Sequence, residues 1–199
     1  MVNVRRRKLK WILFIAFLIA ASILGVLMLQ KYNGRVHAPV TPVRPGEPGL
    51  MRISLFFASP DGSGLVRETA EIDSCGSDLA DCIQDAVKKL AGGPLGELAP
   101  TLPSTTVIND VQVRDDTAYL DFGNELADGL PGGSSAEMTA VYSIVDTISF
   151  NFPQIKKVKF LLDGHEVETL KGHIDLRSPI IPDFSLEKDK NANTAQKQQ

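Results

Sequence analysis

Cysteine, tryptophan, tyrosine and histidine are all scarce in this 199-residue chain: 2, 1, 3 and 3 copies respectively. Two thiols are too few for a disulfide-framework scaffold or a Cys-rich zinc module. Three histidines, with no H-E-x-x-H or comparable spacing, leave little for a metal centre. There is no G-x-S-x-G elbow to raise a serine nucleophile, and no C-x-x-C for redox catalysis. Nothing in the sequence asks for a cofactor. Positive charge is missing where a nucleic-acid binder would need it. The first ten residues carry +5 and residues 11–50 a further +2, so the whole-chain charge of −3 leaves −10 for residues 51–199. An acidic domain is repelled by phosphate, which argues against nucleic acid as a partner.

What the chain does contain begins with a membrane signature. Residues 1–10 form a basic head with Arg5, Arg6, Arg7, Lys8 and Lys10. Trp11 to Leu29 then runs nineteen residues without a charge. As a helix that run spans about 28 Å, close to the hydrocarbon core of a bilayer. The cations hold the preceding end in the cytoplasm, and Trp11 and Tyr32 mark the two interfaces. The expectation is a single-pass helix over 11–29 in the cytoplasmic (inner) membrane, with the amino terminus inside and the rest extracytoplasmic. A cleaved signal peptide, cut near Ala20-Ala21, is the alternative. No cysteine precedes residue 75, so no lipoprotein cleavage site exists here. Residues 30–50 read as a spacer, because Pro39, Pro42, Pro45 and Pro48 recur every third position and bias the chain to polyproline II.

From residue 51 the periods are those of a folded domain. Met51–Ala58 and Leu65–Ile72 are strand-like and flank the turn cluster SPDGSG. Leu79, Cys82, Ile83, Ala86, Val87 and Leu90 recur at helical spacing, with Ser77 available as N-cap and Gly92-Gly93-Pro94 as a stop. Thr106–Val113 and Thr117–Phe122 form a second strand pair around Asp115-Asp116, whose adjacent carboxylates read as turn residues. In the following GLPGGSS loop, Ser134 and Glu137 have capping-box spacing. Met138, Val141, Tyr142, Val145 and Ile148 would then be the inner stripe of a second helix. Lys157–Leu162 and His165–Leu170 make a last hairpin around Asp163-Gly164. The predicted architecture is α+β, ordered ββα-ββα-ββ: a mostly antiparallel or mixed sheet covered by two amphipathic helices, occupying residues 51–182. Any parallel pairing must cross over a helix. Residues 183–199 are polar and read as a disordered tail.

Several of these segments together resemble the GerMN domain, named for sporulation and spore germination proteins. The likeness runs from about Ile53 to Pro179. It rests on ISLFFASPDG, on KLAGGP at 89–94, on LPSTTVINDVQVRDDTAYLDF at 102–122, on AVYSIVDTI at 140–148 and on VKFLLDGHEVETLKGHID at 158–175. The resemblance implies a membrane-tethered, extracytoplasmic module without known catalysis, used in cell-envelope or spore-envelope assemblies, with a fold similar to ring-building motifs. Germination-type members often carry a lipoprotein cysteine and paired domains, whereas this chain has an apolar anchor and one domain.

Candidate site residues are few. Gly133, Ser134 and Ser135 open the second helix, where free N–H groups can hold an anion such as a muropeptide carboxylate; ordinary capping explains the same residues. Asp121 faces outward at a strand end, as a loop-organising acceptor or a ligand contact. His165 and His173 read as exposed turn residues, with catalysis as the alternative; together with nearby Asp175 they could ligate a metal, though no H-E-x-x-H or comparable spacing supports it. Cys75 and Cys82 are a candidate disulfide outside the cytoplasm, with Cys82 as a plain core residue the other reading. The expected function is a non-enzymatic binding or assembly module. Its partners would be the membrane through 11–29 and envelope proteins or a second copy through a strand edge, with peptidoglycan next. An envelope hydrolase acting on cell wall is the rival from another class.

Overall fold

The computed structural model describes residues 49–73 and 78–188. The basic head, the expected membrane helix over 11–29, nearly all of the spacer, Cys75 and Ser77 lie outside the described residues. Among the described residues, no helix is long and apolar enough to cross a membrane.

The first hairpin joins β1 (Leu50–Ala58) to β2 (Leu65–Asp73), paired antiparallel from Leu50↔Asp73 to Ala58↔Leu65. Its turn is held by Ser59, whose hydroxyl donates to Asp61 Oδ1 at 2.6 Å. Helix α1 (Leu79–Ala91) follows, capped by Asp78, whose side chain accepts from Ala80 N–H. That is one residue beyond the Ser77 expected from the sequence. Of its expected stripe, Ile83, Ala86, Val87 and Leu90 are buried, and Leu79 and Cys82 are half-buried against the core.

A second antiparallel pair, β3 (Ile108–Arg114) and β4 (Thr117–Phe122), turns at Asp115-Asp116, with Asp115 at φ +53°. Two helices come next, the short α2 (Glu125–Gly129) and the long α3 (Ser134–Asn151). The chain then returns as β5 (Lys157–Leu162), which pairs parallel to β4 from Thr117↔Lys157 to Phe122↔Leu162. A parallel neighbour can only be reached by such a crossover. After the Asp163-Gly164 turn, with φ +48° and +78°, the two-residue β6 (His165–Glu166) closes the sheet.

Among the described residues the element order is therefore the one expected, with three helices instead of two. The strands form two sheets, not one: β1-β2 alone, and β3-β4-β5-β6. The reason lies on the free edge of β1. Ser54 N–H donates to Asn151 Oδ1 at 2.8 Å, Asn151 Nδ2 donates back to Ser54 O at 2.7 Å, and Phe56 N–H donates to Thr147 Oγ1 at 3.1 Å. Side chains of α3 take the places a neighbouring strand would fill, so the hairpin docks on a helix and not on the other sheet.

Helix α3 also departs from the single-stripe reading. Met138 is 40% exposed and Tyr142 half-buried, while Ala140, Val141 and every residue from Ser143 to Ser149 are buried. Nearly the whole circumference of its second half is enclosed, by the first hairpin on one side and by α1 and β5 on others. The main core gathers Ile53, Leu55, Phe57, Ile83, Leu90, Leu120, Phe122, Ile144, Ile148 and Phe160.

The polar tail expected from residue 183 is structured through Lys188. A 3-10 turn at Phe184–Leu186 leads Glu187 into a parallel bridge with Leu65, and Lys188 N–H donates to Leu65 O at 2.7 Å. This strap crosses so close to the hairpin turn that a Cβ at Gly64 would lie 2.5 Å from Leu186 O.

Replacing Asn151 by Ala removes both bonds to Ser54 and leaves that backbone pair without partners. We expect a loss of about 2 kcal/mol in urea unfolding. Asn151→Asp, which keeps an acceptor for Ser54 N–H but brings a charge to Ser54 O, should be no better.

Candidate functional site

The polar chemistry of the domain is concentrated on α3. The helix begins after Gly133, at φ +123°, and no side chain caps it. The capping box expected of Ser134 and Glu137 does not form: Ser134 is exposed, and Glu137 is fully buried and turned away from its own helix start. Its carboxylate reaches into the loop after β6. Oε1 accepts from Leu170 N–H at 2.8 Å and Lys171 N–H at 3.0 Å, and Oε2 accepts from His173 N–H at 2.8 Å. Burial raises the carboxyl pKa, but the backbone donors, Lys171 foremost, outweigh it and hold the group below its ordinary value.

Lys159 is the buried cation on the same loop. Although it lies on β5 between Val158 and Phe160, it is only 4% exposed. Its Nζ donates to Arg177 O at 2.6 Å and Leu176 O at 3.2 Å, and lies 3.4 Å from Glu166 Oε2. One buried anion and one buried cation thus fix the path of residues 170–177. The strand expected to continue from His165 to Leu170 stops at Glu166, and by Leu170 the amide is turned to Glu137 instead of to β5.

One turn short of the end of α3, Asp146 holds the strap. Its Oδ1 accepts from Asp183 N–H at 2.9 Å, while its buried Oδ2 has no partner among the described residues. Burial pushes its pKa up to about 7, with the carboxylates of Asp183 and Glu187 adding to the shift and the Asp183 amide opposing it. Burial also raises the nearby Tyr142 phenol, again with help from Asp183 and Asp146. Beyond Asp146 a small aromatic cluster fastens the strap to the outer face of the hairpin. Phe56, Phe150 and Phe184 meet with ring centroids 5.7–6.2 Å apart, and the Arg67 guanidinium lies 4.6 Å from the Phe150 centroid. Arg67 is also ion-paired with Glu187 of the strap.

The residues singled out from the sequence are scattered. Asp121 Oδ1 accepts from Gly164 N–H at 2.7 Å and so organises the β5–β6 turn. Asp163 in that turn is held by the side-chain amides of Asn109 and Asn124. Gly133, Ser134 and Ser135 are exposed. His165 is exposed with Nδ1 2.8 Å from Asp163 O, and His173 is exposed with its backbone on Glu137. Asp175 pairs with Arg177 at 2.7 Å. Cys82 is disulfide-bonded, and Cys75, the only other cysteine of the chain, falls outside the described residues. The groups that organise the domain, Glu137, Asp146, Thr147, Asn151 and Lys159, carried no motif beyond the misread Glu137 spacing. The available signal was the density of polar side chains in the later turns of a helix that is otherwise apolar.

What the described surface offers a partner is backbone. On β1, Ser54, Phe56 and Ala58 point their N–H and C=O groups away from β2, as their bonds to Asn151, Thr147 and Ala99 show. Their partners in the register are Thr69, Arg67 and Leu65. In an antiparallel ladder both members of such a pair face outward. Leu65 O is taken by Lys188, whereas the outward groups of Arg67, Thr69 and Glu71 are free of described partners. All three side chains are exposed.

A family model described as "Germane: Sporulation and spore germination" matches residues 54–168, more than half of the chain. The chain belongs to this family. Its Germane domain is similar to the first GerMN domain of the sporulation protein GerM from Bacillus subtilis: 25% identity over 66% of this chain and 97% of that one, TM-score 0.52. It is likewise similar to the tandem GerMN domains of the same protein, at 25% identity over 68% of this chain and TM-score 0.51, where it spans only 46% of the longer chain. A Clostridium perfringens protein assigned as a lipoprotein shares 26% identity over 69% of this chain and 93% of its own, TM-score 0.49. Among curated proteins there is no match.

Glu137→Ala strips the Leu170, Lys171 and His173 amides of their acceptor. It should cost about 3 kcal/mol or more in equilibrium unfolding, against a smaller loss for Glu137→Gln, while Ser134→Ala should change stability by less than about 0.5 kcal/mol. For Asp146 the folded pKa of about 7 stands above the ordinary 3.8. Between these values the native state binds more protons than the unfolded one, so this group's contribution to stability is full below pH 4, falls as pH rises, and is gone above pH 7. Denaturation midpoints measured from pH 4 to 8 should show Asp146→Asn gaining on the wild type as pH rises, with the gain levelling off above about pH 7.

Proposed function

We propose that this chain is a non-enzymatic binding and assembly module of the bacterial envelope, tethered to the cytoplasmic membrane through residues 11–29 and presented outside it. The apolar run behind five cations supports the tether and its direction. The Pro-rich spacer carries the domain away from the bilayer. Membership of the Germane family and likeness to a sporulation protein support a place in a cell-envelope or spore-envelope complex.

The observation that carries the module reading is how the ionisable groups of the domain interior are used. Glu137, Lys159 and Asp146 each bind main-chain groups of the segment that follows β6 or of the strap. These charges hold loops in place, and what the surface then presents is an open strand edge of the kind that recognises other chains by main-chain pairing.

Two measurements test the reading. A reporter fused to the carboxyl terminus should be active only outside the cytoplasm; activity in the cytosol would remove the tether and the envelope role together. Isolated sacculi incubated with the full chain should release no muropeptides. Turnover that depends on His165, His173 or Asp121 would replace the module with a hydrolase.

A further inference from the structure

The free edge of β2 is short and bounded. The strap closes it at Leu65, where Lys188 occupies the carbonyl, and the described strand ends at Asp73. Between them Arg67, Thr69 and Glu71 offer outward N–H and C=O groups, with side chains on the exposed face of the hairpin. The opposite edge of the same hairpin is occupied at Ser54, Phe56 and Ala58 by Asn151, Thr147 and Ala99, so among the described residues β2 offers the longer run of unpaired outward groups. Charged residues often protect such edges from chance pairing. Here their order is self-complementary, although within one copy Arg67 already pairs with Glu187 and Glu71 lies 3.8 Å from Arg52.

We propose that the occupant is a second copy of this chain, paired antiparallel along β2 about a two-fold axis at Thr69. In that register Thr69 faces Thr69 of the partner subunit, and Arg67 faces Glu71 of the partner subunit on both sides of the axis. The three outward pairs exchange about six main-chain hydrogen bonds. On the inner face, Val66 stands opposite Ile72 of the partner subunit and Ala70 opposite Glu68 of the partner subunit, so the two hairpins continue as one four-stranded sheet. The neighbouring registers fail on charge and on space. An axis at Arg67 sets two guanidinium groups against each other and needs the Leu65 carbonyl that the strap already uses. An axis at Glu71 opposes two carboxylates. Like charges directly opposite each other destabilise a cross-strand pair, whereas Arg–Glu and Thr–Thr pairs stabilise it. A closed two-fold contact also satisfies the edge completely, leaving no further strand to propagate.

The proposal rests on the module reading, since a five-residue edge is a weak contact in dilute solution and gains from copies held at high local concentration on one membrane. The test uses the full chain reconstituted in liposomes. Under mild oxidation Thr69→Cys should give a reducible dimer, because residues facing each other across a two-fold axis bring their Cα atoms within disulfide reach. Glu71→Cys, which faces Arg67 and not its own copy, should give roughly tenfold less. Thr69→Pro removes one outward N–H while leaving the β1–β2 bonds intact; it should abolish the concentration-dependent mass increase seen by light scattering of the detergent-solubilised wild type. Glu71→Lys should weaken the association, because it sets a second cation against Arg67 of the partner subunit. Equal cross-linking at 69 and 71, or a wild type that stays monomeric at high concentration, overturns the dimer. Either result leaves the envelope reading intact if the carboxyl-terminal reporter remains outside the cytoplasm, so the two ideas fail separately.

Discussion

A carboxylate enclosed by protein must find donors, and the way Glu137 meets that demand sets the course of the last third of the domain. Three amides, from Leu170, Lys171 and His173, converge on its two oxygens. The chain can supply them only by leaving β5 after Glu166 and folding back over the start of α3. Lys159 then collects the carbonyls of Leu176 and Arg177, and Val158 takes Ile180 as an isolated antiparallel partner. A stretch with almost no secondary structure of its own is therefore as well determined as a strand. Removing either buried charge would leave several main-chain groups stranded.

Farther along the same helix, Asp146, Thr147 and Asn151 repeat the device on other segments. Thr147 and Asn151 stand in for a strand beside β1, and Asp146 holds the amide of Asp183. Helix α3 thus serves three separate pieces of backbone with side chains while its apolar positions fill the core. It covers the four-stranded sheet on one side and terminates the two-stranded sheet on another. The division into two sheets follows from this: a strand edge already satisfied by a helix has nothing left to offer a neighbouring sheet.

How far the sequence disclosed this depends on which rule governed each element. Helix α1 carries its apolar residues on one stripe and a polar face toward water, so its extent was legible to within a residue or so. The hairpins were legible because Asp115-Asp116 and Asp163-Gly164 have turn chemistry and the flanking residues alternate. Helix α3 was legible as a helix but not as a buried one, since Ser143, Asp146, Thr147 and Ser149 look like a solvated face in any periodicity argument. Glu137 was misread for the same kind of reason. The S-x-x-E spacing is shared by a local cap and by a serine that merely precedes a glutamate with distant partners. An exposed strand edge was an expectation with no strand attached to it; that β2 carries one, and which residues face outward, required the topology and the register. The strap was hidden because most of its contacts are main-chain bonds and ion pairs, and Phe184 is a single aromatic residue that sets up no period of its own.

The bonds between Ser54 and Asn151 join residues 97 positions apart. Closing so large a loop is slow compared with zipping a hairpin or winding a helix. Until α3 lies alongside, the outward groups of Ser54 and Phe56 lack the partners they have in the folded domain. During synthesis this interval lasts at least until residue 151 has emerged, so the nascent domain is most open to unwanted strand exchange before its longest helix is complete.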